Sequence, residues 1–413
     1  MRQLLLATGL FIVLCGQGCR HVGLAESGQG DGGADPAPIT GVDVLVMVES
    51  GMSPLEWQPI LGPQLARLVN DLTLPVGGEP VADDLRIAIA TADMGLSWAD
   101  HPADEYFPDL VEGIACGGFG EDGAFRTSPN YANELDFEGV DVPCVPGAGD
   151  LGCPEGWSCV VAEDDSPVCV APPDSGWIAG CPGGWGGDVA WGATSPGAPN
   201  GGLGLAAGCV AQVGQGCGWK QQLRSIERAL TREDQAAFVR DSAILAILAF
   251  TDDSECSIED GPDLFESDEW SDGDAWEACE AQPEYLYSVS HFYDAFSALK
   301  GGRDEAMVFA SLTGVPVVPA CEGRGDAIAA CLDRPEMQLV ENGVDPPHYG
   351  VACESSSQDF MIQGWANRRF VELASSHFGD RAYVASLCRD DWSGAFDEIA
   401  ALIGERMDLL QTD

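Results

Sequence analysis

The chain has 413 residues, 45% of them hydrophobic, enough for a sizeable core, and carries 67 acidic against 19 basic residues for a net charge of -48. A field this negative repels nucleic acid and anionic lipid surfaces, so nucleic-acid binding is excluded; divalent cations and basic partners remain, beside the simpler role of keeping an acidic, lysine-poor surface hydrated. The length suits one large domain with insertions, or two domains.

Met1 and Arg2 open a short positive region, and the apolar run from Leu4 to Leu14 is interrupted only by Thr8 and Gly9. At about eleven residues that run is too short to span a bilayer, and it reads as a secretory signal over residues 1–18. Gly18-Cys19 resembles the cleavage site of bacterial lipoproteins, although Gly16 stands where leucine is usual. The resemblance implies lipidation at Cys19, membrane attachment through that anchor, and a place in the cell envelope as an outer-membrane lipoprotein, on the periplasmic face or the cell surface. Ordinary cleavage and release is the plainer alternative. Of 16 cysteines, loss of Cys15 and lipidation of Cys19 leave an even set of fourteen, which in an exported protein reads as disulfides. No CxxC pair occurs, so zinc ribbons and thioredoxin-like sites lack their spacing.

Residues 19–40 are rich in Gly, Asp and Pro and read as a flexible tether. Val42 to Val48 is a Val-rich run suited to a strand buried on both faces. Ile60 to Leu72 has helical spacing, and Leu85 to Thr91 is a second buried strand, so the chain opens as a β-α-β unit of a parallel sheet. Residues 96–208 break this pattern, and we read them as a Cys- and Gly-rich insertion. They hold six cysteines, with Cys144-x8-Cys153-x5-Cys159-x9-Cys169 resembling a small disulfide-knotted module. Alternation then resumes over 209–413: helix from Trp219 to Leu230, strand from Ala243 to Phe250, an acidic loop from Glu255 to Glu280, helix from Tyr285 to Leu299 and strand from Ala306 to Leu312. Helix from Phe360 to Phe378, strand from Ala382 to Leu387 and helix from Trp392 to Leu410 complete the chain. The expected fold is a doubly wound, mostly parallel six-stranded α/β sheet carrying a disulfide-rich irregular insertion, with residues 41–95 and 209–413 as its two parts.

Ligands of such sheets bind beyond the carboxyl ends of the strands. There the chain places Glu49-Ser50-Gly51-Met52-Ser53, Thr91-Ala92-Asp93 and Thr251-Asp252-Asp253-Ser254-Glu255, an oxygen-rich set suited to a hard cation such as Mg2+ or Ca2+. The order VDVLVMVESGMS, LRIAIATADMG, GCGWKQQLRSIERAL and ILAFTDDSECS, closed by NRRFVELASSHFGDRAYVASLCRDDWSGAFDEIAALI, resembles the von Willebrand factor type A domain, and more closely the A-like domains of cysteine-rich bacterial lipoproteins. The resemblance implies a Rossmann-like sheet and a metal-ion-dependent adhesion site. Carried over, Glu49 falls on the motif's Asp, Gly51 on its first Ser, Ser53 on its second, and Asp252, with its neighbour Asp253, on the later Asp. The motif's Thr should lie near Val213 to Gly216, where the chain has Gln215. The site is therefore degenerate, and Glu49, Ser53, Asp252 and Asp253 are its candidate metal ligands, or else side chains that only hydrogen-bond loop amides.

The implied function is non-catalytic binding or adhesion, with a protein ligand that supplies a carboxylate to the metal. The alternative is a metal-independent structural component of an envelope assembly. A serine hydrolase would want Gly-x-Ser-x-Gly with His and Asp partners, which the ESG sequence and the five scattered histidines do not form; no phosphate-binding loop is present either. Trp57, Trp177, Trp185 and Trp191 are expected to pack in the core or cover disulfides rather than form a contact surface.

Overall fold

The computed structural model describes residues 38–51, 57–73, 81–82, 84–98, 101–102, 118–126, 158–161, 167–170, 191–192, 202–214, 216–217, 219–259, 261, 264, 282–340, 348–355 and 361–412. The signal segment, Cys19, the tether up to residue 37, Ser53, Gln215 and most of the expected insertion lie outside them. Residues 38–413 form one compact unit.

The Val-rich run becomes β1 (Gly41–Val48), buried along its whole length. It is followed by α1 (Gln58–Thr73), β2 (Asp84–Thr91), β3 (Trp191–Gly192), α2 (Gly202–Val210), α3 (Gln222–Thr231), β4 (Ala243–Phe250), α4 (Val289–Leu299), β5 (Met307–Thr313) and β6 (Gly323–Arg324). A hairpin, β7 (Val351–Ser355) with β8 (Ile362–Trp365), leads to α5 (Arg368–Glu372), β9 (Ala382–Ser386) and α6 (Ser393–Thr412). Short antiparallel pairs join 97–98 to 101–102, 158–161 to 167–170 and 339–340 to 348–349.

The sheet runs β6-β9-β5-β4-β1-β2, with β3 adding two antiparallel residues beyond β2. β9, β5, β4, β1 and β2 are mutually parallel, while β6 pairs antiparallel with β9. The expected α/β class and mostly parallel sheet are present. The sixth strand is the two-residue edge β6, which no apolar run announces.

Alternation along the buried strands makes two cores. Val42, Val44, Val46 and Val48 of β1, with Ile244, Ala246, Leu248 and Phe250 of β4, face α1, α2 and α6. Leu45 and Met47, with Leu245, Ile247 and Ala249, face α3, α4 and α5. Aromatic pairs lock the first layer: Phe250 stacks on Phe396 at 5.6 Å, and Trp57 lies 6.2 Å from Trp392. Trp57 is thus a core residue, as expected. No helix among the described residues is long and apolar enough to cross a membrane.

Two elements differ from the sequence reading. The helix expected from Phe360 begins only at Arg368, because Ile362–Trp365 pairs with β7, and Asn367 caps the helix by accepting the Phe370 amide at 3.2 Å. Tertiary contact decides this: a side chain on Gly364 would strike Gly314 and the sulfur of Cys353, so the hairpin fits only as glycine there. The other is α2, which starts inside the expected insertion. It packs on α1, where Gly204 lies against the Ala66 carbonyl and Asn70 and Gly62 lies against the Gly208 carbonyl. Two disulfides are described, Cys321–Cys331 and Cys353–Cys388; Cys209, Cys217 and Cys256 are also disulfide-bonded.

Candidate functional site

Because β1 and β4 are adjacent, parallel and in register to their ends, with Val48 opposite Phe250, the residues that follow them emerge side by side. Glu49 leaves β1 and Thr251-Asp252-Asp253 leave β4 at one edge. All four are buried.

Glu49 donates its amide to the Phe250 carbonyl at 2.9 Å. Its Oε2 accepts Thr251 Oγ1 at 2.9 Å and Gln222 Nε2 at 2.9 Å, and its Oε1 accepts the Ser50 amide at 3.2 Å. Burial pushes the Glu49 carboxyl up to about 7; the neighbouring charge of Asp253 adds to this, and Lys220, Thr251 and Gln222 oppose it. At the first turn of α1, Gln58 donates to the carbonyls of Glu49 and Gly214, both at 3.1 Å, and accepts the Gly214 amide at 3.0 Å. The loop before α3 is thereby stapled to the end of β1.

Lys220 lies two residues before α3. Its backbone bridges to Asp93, and its carbonyl accepts the Cys256 amide at 2.7 Å. The main chain being held on both sides, its side chain reaches the strand ends, with Nζ 2.5 Å from Asp253 Oδ1 and 5.6 Å from the centre of the Trp365 ring. The side chain keeps 21% of its area exposed against 6% for Asp253. Burial pushes the ammonium down, but attraction to Asp253, Glu49 and Asp252 outweighs it, and the Lys220 pKa lies above its ordinary value.

The backbone around Asp252 and Asp253 is held from the other side. Asp252 accepts the Trp365 amide on its carbonyl at 2.7 Å, and Asp253 accepts Asn367 Nδ2 on its carbonyl at 2.9 Å. Thr251 Oγ1 accepts the Asp253 amide at 3.1 Å. Glu255 and Ser257 turn to a structural task. Glu255 accepts the Leu223 amide at 3.3 Å and pairs with Arg369, and Ser257 accepts the Arg224 amide at 2.9 Å. Together they cap α3, whose own N-cap residue Gln221 makes no capping bond.

Of the candidate ligands, the structure brings Glu49, Asp252 and Asp253 to one edge, and Ser53 lies outside the described residues. Gly51 is buried at the same turn. Asp93, just beyond the end of β2, instead accepts the Gly95 amide at 2.9 Å and the Cys217 amide at 3.2 Å. Among the described residues no group of three or more His, Cys, Asp or Glu side chains is disposed to hold a metal ion. Sequence reasoning placed Thr251 at this edge but missed Lys220, Gln222 and Asn367. The one signal for Lys220 was rarity, since it and Lys300 are the only lysines. Comparison of the chain with protein-family models, with curated proteins and with solved structures gives no match.

Proposed function

We propose that the chain is an exported, lipid-anchored, non-catalytic binding or scaffold protein of the cell envelope, built on a von Willebrand A-like domain, and that it works without a bound divalent cation. The parallel sheet between two helical layers and the carboxylates at its strand ends support the A-like reading. Of the two roles the sequence leaves open, adhesion through a degenerate metal site and a metal-independent part in an envelope assembly, one observation favours the second. The ammonium of Lys220 already sits against Asp253, at the edge where a cation would have to bind. A divalent ion would have to displace it and meet the like charge of whatever remained nearby.

The test is calorimetric titration of Mg2+, Mn2+ and Ca2+ into the oxidised protein, with Asp252→Ala alongside. No binding below millimolar concentration is expected. Micromolar binding that Asp252→Ala abolishes would overturn the metal-independent reading and restore adhesion to a partner that brings a carboxylate.

A further inference from the structure

Among the described residues five large apolar side chains are exposed, and three of them lie on two segments that pack together. Val351 (42% exposed) and Met361 (54%) belong to the β7–β8 hairpin, and Val317 (49%) to the loop after β5. A side chain on Gly314 of that loop would strike the Trp365 main chain, and the Gly314 carbonyl accepts the Asn367 amide at 3.0 Å. No charged residue stands between Glu305 and Glu322, so the exposed loop is uncharged in a chain with 67 acidic residues. The hairpin register defines an outer face. Val351 opposes Trp365 and Glu354 opposes Gln363, and the bulge between Val351 and Cys353 brings Val351 and Glu354 to the same side. Trp365 and Gln363 are half-buried there and Met361 precedes them, while Ala352, Cys353 and Ile362 are buried. Apolar side chains exposed singly are ordinary, but a group of them with a polar rim marks a contact surface.

The neighbouring charges define what fits. Glu354, on the same face, is held by the Gln363 amide at 3.2 Å rather than by a cation. Ser355 donates to Asp390 at 2.9 Å, and Asp391 follows. The cation beside them, Arg389, is taken up by Glu322. A second copy of this chain would bring another net charge of -48, and an anionic lipid surface is repelled in the same way, whereas a cationic partner is attracted. We infer that the outer face of the hairpin, with the Val317 loop beside it, docks a partner protein through a basic segment that carries large apolar side chains. The apolar groups cover Val351, Met361 and the Trp365 ring, and lysine or arginine side chains meet Glu354 and the Asp390–Asp391 pair. The inference rests on the binding role proposed above and names the partner's chemistry.

A random peptide library displayed on phage is selected against the full, oxidised chain, in chelator and in millimolar Mn2+. The selected peptides are then titrated into wild type, Val351→Ser/Met361→Ser and Glu354→Gln, all at exposed positions, with thermal melts to confirm folding. The expected peptides combine lysine or arginine with large apolar residues, bind equally in both buffers, and lose affinity about tenfold or more in the double variant. Glu354→Gln and added salt are expected to weaken them as well. The inference is overturned by a library that yields no binder, by binders without basic residues, or by binding that survives Val351→Ser/Met361→Ser. A wild-type dimer in sedimentation that the double variant dissolves overturns it in favour of a second copy. Each of these outcomes leaves the metal-independent reading standing. Hairpin-dependent binding that needs Mn2+ overturns that reading alone, and Mn2+-dependent binding indifferent to the hairpin overturns both.

Discussion

Glu49 shows how much one position depends on its surroundings. As the residue after an apolar strand it reads as a candidate metal ligand; in the fold it is fully buried and its carboxyl is raised to about 7. The folded state therefore holds a proton that the unfolded chain, with its ordinary value of 4.5, releases. The stability linked to that proton is fully present below about pH 4.5 and is lost as pH rises through about 7, with a ceiling of about 3 kcal/mol from roughly 1.4 kcal/mol per pKa unit. General repulsion among the acidic residues also weakens the fold as pH rises, so the difference between two proteins isolates Glu49. Urea midpoints at pH 5 and pH 8 are expected to fall further for wild type than for Glu49→Gln. Equal falls would mean that Glu49 carries no such linkage. The neighbouring roles were not legible locally. Gln222 reads as a polar helix residue until α3 is docked, and Asn367 serves both Phe370 and Asp253 only because the hairpin delivers it there.

Among the elements, the long buried strands were the most legible, because near-continuous apolar runs, eight residues without a break in β4, leave few alternatives. The β7–β8 hairpin was the least. Its residues carry neither a clean alternation nor a turn signal, and its position is set by Cys353–Cys388 and by the close approach of Gly364 to Gly314. That disulfide closes a loop of 35 residues, for which chain entropy gives about 3–4 kcal/mol. Replacing both cysteines by serine is expected to lower the unfolding free energy by about that much in urea titration. The hairpin also donates the Trp365 amide to Asp252 and sets its ring beside Lys220, so its loosening should be visible as a change in Trp fluorescence below the main transition. A variant as stable as wild type would show that the hairpin is held by packing alone.

At the scale of the whole molecule the two lysines sit at opposite edges of one sheet. Lys220 meets Asp253 at the carboxyl ends of the strands, and Lys300, 3% exposed, donates to the carbonyls of Arg240, with Nζ at 2.5 Å, and Ala243, at 2.7 Å, where β4 begins. Burial pushes the Lys300 amine down. Asp43, buried in β1, is paired there with Arg240. The surface of the described fold is accordingly acidic with almost no accessible lysine amine. Amine-reactive ester labelling followed by peptide mass mapping is expected to modify Lys220 and Lys300 at least tenfold more slowly in the native protein than in denaturant. Rapid native labelling at Lys220 would show that its ammonium does not rest in the carboxylate cluster.

Composition and periodicity by themselves determined the α/β class, the parallel core of the sheet and the edge at which carboxylates gather, because burial on both faces writes continuous apolar runs and because parallel strands deliver their following residues to one side. Tertiary structure alone decided what occupies that edge. Residue 220 is 31 positions from Thr251 and far from Glu49 in sequence, and nothing local to it specifies a carboxylate neighbour. Only the bridge to Asp93, the Cys256 amide and the docking of α3 hold its main chain where the side chain reaches Asp253. A charge pattern read along the chain cannot anticipate an ion pair that exists because two loops, separated by a helix and a strand, are folded onto the same end of a sheet.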